Sequence, residues 1–195
     1  MTEISSRPFL RHSIADLEEI ASSNWNDIVT ITMVVVELFH RDIWRASCLR
    51  EKSIDRIGEL IAQGFPWPSV EVEPSSHTSN LFIDAAAQGL LACLGYRVGL
   101  HGLNLYDRRL LLTTVFMDRL PPVNSAEYMQ SWGVPETSQR LRIIADSIAA
   151  FVRNAKRRKN IPTEAIADWI DDLDFLHAAF YKGRYDFPWP STTPD

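Results

Sequence analysis

RLRIIADSIAAFVRNAKRRKNIPTEAIADWIDDLDFLHAAFY, residues 140–181, is the stretch that decides the fold. Leu141, Ile144, Ala145, Ile148, Phe151, Val152 and Ala155 recur at three- and four-residue intervals, which places them on one face of a helix. Past a short polar connection, Ile166, Trp169, Ile170, Leu173, Leu176, His177 and Phe180 repeat the same phase. Two stripes of equal length joined by a short loop predict an antiparallel αα-hairpin. The hairpin is also split by charge. Arg153, Lys156, Arg157, Arg158 and Lys159 crowd the end of the first stripe, while Glu164, Asp168, Asp171, Asp172 and Asp174 lie along the second.

Outward from this hairpin, helical signals continue in both directions. Ser13 with Asp16 forms a capping-box pattern that starts a short helix. Residues 25–64 carry helical spacing for one or two helices. The β-branched run over 29–36 inside them is read as helix, because no partner strand is visible nearby. Pro66, Pro68 and Pro74 forbid regular helix over 65–80. A helix is expected over 81–94 with Gly95 as its C-cap, then a glycine-punctuated turn over 96–103. Asn104 with Asp107 starts another helix that Pro121-Pro122 stops, and Asn124 with Glu127 starts a short one ending at Trp132. The expected architecture is all-α: a single-domain bundle of about six to eight helices. It comprises N-terminal helices over 1–64, a Pro-rich loop over 65–80, C-terminal helices over 81–182 and an extended tail over 183–195.

Composition narrows the function classes. A hydrophobic share of 46% in 195 residues is that of a folded domain, not of a disordered chain. The net charge of −5 gives no global attraction to nucleic acid or anionic lipid, so any such binding needs a local patch. Cys48 and Cys93 sit in apolar helical patterns and read as buried reduced thiols of a cytoplasmic protein. The N-terminal residues lack the apolar core of a secretory signal, and the apolar run over 28–39 is too short to span a bilayer, so no membrane association is expected.

Four constellations could carry chemistry or binding. The basic cluster Arg153, Lys156, Arg157, Arg158 and Lys159 suits a phosphate backbone or a protein partner. The simpler reading is a helix C-terminus, where cations are favoured, with Asp168, Asp171 and Asp172 neutralising the cluster across the hairpin. Glu37-x-x-His40 and Asp174-x-x-His177 place an acid three residues before a histidine on two helices, as in carboxylate-bridged bundle metal sites. That makes Glu37, His40, Asp174 and His177 weak metal candidates. Ordinary hydrogen-bonded histidines are the simpler reading, and no cofactor is implied. The glycine spacing over 95–102, with Arg97, Arg108 and Arg109 nearby, could form an anion-binding turn, but it matches no phosphate-loop pattern. The tetrapeptide FPWP occurs twice, with Phe65 and Trp67 in the first copy and Phe187 and Trp189 in the second. Each copy lays an aromatic pair over a bundle end or offers it to a partner. Zinc-protease, nucleophile-elbow and paired-cysteine motifs are absent from the sequence.

LGYRVGLHGLNLYDRR, LPPVNSAEYMQSWGVP, RLRIIADSIAAFVRNAKRR, AIADWIDDLDFL and FPWP together resemble a group of uncharacterised bacterial proteins that accompany mobile-element or phage-defence genes. The resemblance covers about the last hundred residues. It implies a bacterial, intracellular setting and a place as one component of a defence complex, and it implies no activity and no catalytic residue. The functional expectation is a non-catalytic helical subunit or adaptor of a multi-protein assembly. Direct DNA or RNA binding through the basic cluster and a helical-bundle metalloenzyme are the alternatives.

Overall fold

The computed structural model describes residues 7–63, 89–122, 126–158 and 162–194. The fold is an all-α bundle, with eight helices and no strand among the described residues. The chain divides into two compact units, Met1–Gly95 with Leu120–Ala126, and Tyr96–Arg119 with Glu127–Asp195.

In the first unit, α1 spans Ile14–Ser23, α2 Ile28–Leu38, α3 Trp44–Ala62 and α4 Leu90–Cys93. Both halves of the expected capping box are present, with Asp16 N–H donating to Ser13 Oγ at 3.2 Å and Ser13 N–H to Asp16 Oδ2 at 2.7 Å. The β-branched run is indeed helical. Asp27 caps α2 through the Val29 N–H, and nearly the whole circumference of the helix is buried. Burial of Val and Ile on every side outweighs their strand preference, because each buried side chain contributes about 1.5–3 kcal/mol. Leu17, Ala21, Val34, Leu38, Ala46 and Leu49 form the core of α1, α2 and α3.

The helix expected over 81–94 does not run through Gly89. That residue has φ +85° and precedes α4, a single turn capped by Leu94 and followed by Gly95 with φ +87°. Residues 81–88 and the Pro-rich loop over 65–80 lie outside the described residues.

In the second unit, α5 spans Leu105–Met117, α6 Ala126–Trp132, α7 Ser138–Arg157 and α8 Thr163–Leu176. Asn104 caps α5 as expected, accepting the Asp107 N–H at 2.9 Å. Thr137, which the sequence reading passed over, caps α7. Helix α7 buries Leu141, Ile144, Ala145, Ile148, Val152 and Ala155, the expected stripe. It packs on α8, where the Phe151 and Trp169 rings lie 5.8 Å apart. Helix α8 widens into a π turn over His177–Tyr181, after which the chain runs extended. Among the described residues no helix is long and apolar enough to cross a membrane.

Candidate functional site

The principal polar cluster of the second unit joins α5, α8 and the glycine turn. Asp168 and Asp172 are one turn apart on α8 and share a face. The Asn104 cap sets the first turn of α5 so that Arg108 reaches both of them. Its Nε donates to Asp172 Oδ2 at 2.9 Å, a terminal nitrogen lies 3.1 Å from Asp168 Oδ1, and the other donates to the Leu103 carbonyl at 3.2 Å. The Tyr96 hydroxyl donates to the same Asp172 Oδ2 at 2.6 Å. Asp168 Oδ2 accepts the Gly99 N–H at 2.8 Å. At the rim, Arg109 pairs with Asp171 at 3.2 Å and lies over the Phe175 ring.

Asp172 is completely buried, and its Oδ1 receives no hydrogen bond from any described residue. Burial pushes its carboxyl above the ordinary aspartate value, while the hydrogen bond from Tyr96 and the charge of Arg108 pull it back. Burial, and then the Asp172 charge, pushes the Tyr96 hydroxyl well above its usual value. The phenol therefore keeps its proton and acts as a fixed donor.

The cluster braces residues 96–103. Inside the turn, Gly102 N–H donates to the Gly99 carbonyl at 2.8 Å and Leu103 N–H to the Arg97 carbonyl at 2.9 Å. A Cβ on Gly102 would sit 2.5 Å from the backbone carbon of Val98, which has no room to give. A Gly102→Ala variant is therefore expected to cost about 1–3 kcal/mol. The Gly99 amide, released from Asp168, should exchange faster, and both effects are read by thermal melting and amide exchange. Unchanged protection of Gly99 would refute the bracing. The braced turn carries Leu100, 81% exposed, and leads into Leu105 and Tyr106, 44% and 65% exposed.

Among the described residues, the anticipated neutralisation of the basic cluster by Asp168, Asp171 and Asp172 does not occur. Those carboxylates pair with Arg108 and Arg109 instead. The same pairing engages two of the three arginines that would have served an anion-binding glycine turn. At the end of α7, Arg153 donates to the Ser191 carbonyl at 2.6 Å and Lys156 to the Thr192 carbonyl at 3.0 Å. Arg157 and Arg158 are exposed, and Lys159 lies outside the described residues.

The metal candidates are engaged in other bonds. Buried Glu37 is held by Arg7 at 2.8 and 2.9 Å and by Arg41 Nε at 2.7 Å. His40 Nε2 donates to the Leu94 carbonyl at 3.0 Å. Asp174 is exposed, and His177 stacks on Tyr181 with centroids 4.9 Å apart. Among the described residues, no three His, Cys, Asp or Glu side chains are grouped to hold a metal ion. Phe187 and Trp189 are half-buried. Both rings lie 4.9 Å from Tyr181, Trp189 lies 5.0 Å from His177, and the Tyr181 hydroxyl donates to the Phe187 carbonyl. Phe65 and Trp67 lie outside the described residues.

Sequence reasoning missed Arg140. It is 3% exposed and donates to the carbonyls of Trp132, Val115, Asp118 and Gly133 at 2.9, 2.8, 3.3 and 2.5 Å. It lies four residues before Ile144, in phase with the apolar stripe, which was the available signal. No known protein family, characterised protein or solved structure matches this chain.

Proposed function

We propose that this chain is a non-catalytic helical adaptor that docks a protein partner on the turn over 97–103 and the start of α5. The observation that carries the reading is Leu100, a large apolar side chain left 81% exposed on a turn that Asp168, Arg108 and Tyr96 hold rigid. Tyr106 stands 65% exposed a few residues on, and aromatic side chains are favoured anchors of interfaces. A surface fixed before binding loses little conformational freedom on association. The side chains suited to chemistry support the same reading, since Glu37, His40 and Asp172 serve internal bonds.

The test is co-expression with the genes that flank its own, guided by the resemblance to defence-associated proteins. A stoichiometric protein partner is expected to co-purify with the native chain. The Leu100→Ser/Tyr106→Ser double variant should lose that partner while melting within about 1 °C of the native chain, since exposed substitutions seldom change stability by more than ~0.5 kcal/mol. Retention of the partner by the double variant, or recovery of the chain alone, overturns the proposal.

A further inference from the structure

We infer that the end of α7 carries a binding strip for a duplex phosphate backbone, and that the chain's own C-terminal tail occupies it. Arg153, Lys156 and Arg157 fall at i, i+3 and i+4, so they share one face of the helix. Arg153 donates to the Ser191 carbonyl at 2.6 Å and Lys156 to the Thr192 carbonyl at 3.0 Å. Among the described residues no carboxylate pairs with Arg153, Lys156, Arg157 or Arg158. Two turns and more earlier on the same helix the pattern differs, and Arg142 pairs with Asp146 at 3.5 Å. The tail thus offers neutral carbonyls where cations would be met better by anions. A phosphate oxygen is a stronger acceptor for guanidinium and ammonium than an amide carbonyl, so a polyanion can displace the tail.

The tail is built to lift without unravelling its root. Trp189 is packed against His177 and Tyr181, whereas Ser191 and Thr193 are exposed and Thr193 N–H bonds only within the tail, to Ser191 Oγ at 3.1 Å. The strip has no aromatic side chain for base stacking, which favours a duplex over a single strand. The chain's net charge of −5 repels nucleic acid elsewhere, so attachment is confined to this strip and falls steeply with salt. This inference is independent of the docking turn.

Fluorescence anisotropy with a labelled duplex of mixed sequence tests it. A chain ending at Pro190 is expected to bind about tenfold tighter than the full chain at low salt. Three cations predict a log–log salt slope of about −3. The triple variant Arg153→Ala/Lys156→Ala/Arg157→Ala should abolish binding with or without the tail. In the full chain, adding duplex should speed amide exchange at Thr193, a readout that does not depend on how the shortened chain folds. Equal affinity of the two chains, binding that survives the triple variant, or unchanged exchange at Thr193 overturns the inference. So does capture of polyglutamate in place of duplex, which would assign the strip to an acidic protein.

Discussion

An Arg140→Met variant is expected to lose about 3–5 kcal/mol of stability, because it strips the donor from several carbonyls at once, each worth about 1–3 kcal/mol when buried and left bare. The last carbonyls of any helix lack partners within it. Arg140 supplies them at two helix ends at once: Val115 and Asp118 at the end of α5, Trp132 and Gly133 at the end of α6. Both ends are the negative poles of their helices, so a cation suits them. Burial pushes the guanidinium down to about 10, still well above neutrality, so the charge persists in the folded chain. Methionine fills much of the same apolar volume but donates nothing. Each buried carbonyl left bare costs about 1–3 kcal/mol before the backbone relaxes. Arg140→Lys keeps the charge, but a single ammonium cannot span carbonyls on two helices, so an intermediate loss of about 2 kcal/mol is expected. Urea unfolding reads both variants as a lowered midpoint with an unchanged slope. A methionine variant within about 1 kcal/mol of the native chain would show that the carbonyls find other donors.

The same residue shows where sequence reading stops. Apolar spacing placed α7 and α8 within a few residues of their observed bounds, because the period of the stripe is the period of the helix. Extending that stripe backward from Ile144 puts Arg140 on the buried face. Extending the α8 pattern from Trp169 toward Leu176 puts Asp172 there too. Periodicity therefore carries the signal for two buried charges, although the sequence reading left Arg140 unassigned and gave Asp172 to the basic cluster. What supplies their partners is non-local. Tyr96 and Arg108 stand 76 and 64 residues from Asp172 in sequence, and no pattern within a helix foretells that pairing. The charge split of the hairpin was legible, but its meaning was not. Opposite charges one loop apart invited a pairing across the loop, whereas the acidic face is taken by α5 and the basic end by the tail. Gly89 misled for a related reason. Its apolar and small neighbours read as continuous helix, and positive φ at a glycine is a choice the fold makes, not one the residue imposes.

The second large effect is expected at Arg108 and depends on pH. Arg108→Met leaves Asp172 buried with the Tyr96 hydroxyl as its remaining donor among the described residues, and a loss of about 3–5 kcal/mol at neutral pH follows. The sign of the pH dependence follows from the carboxyl's direction. In the native fold Asp172 titrates above its unfolded value, because burial disfavours its charge more than Tyr96 and Arg108 favour it. The folded chain therefore holds a proton at pH values where the unfolded chain has lost it. Stability from this group is fully present below the unfolded aspartate range and is lost as pH rises through the folded value. Without Arg108 the carboxyl moves further up, so the window of loss extends to higher pH. The variant's deficit should shrink as pH is lowered from about 7, because the buried acid takes up its proton at higher pH than in the unfolded chain and, once neutral, needs no cation. Asp172→Asn supplies that neutrality permanently. In the Arg108→Met background it should recover about 1–3 kcal/mol at neutral pH and flatten the pH dependence, although alone it costs stability by weakening the native pair. Urea midpoints of the four chains across pH close the cycle. A single Arg108 variant whose deficit does not change with pH, or a double variant no more stable than it, would mean that Asp172 does not carry the buried charge assigned to it.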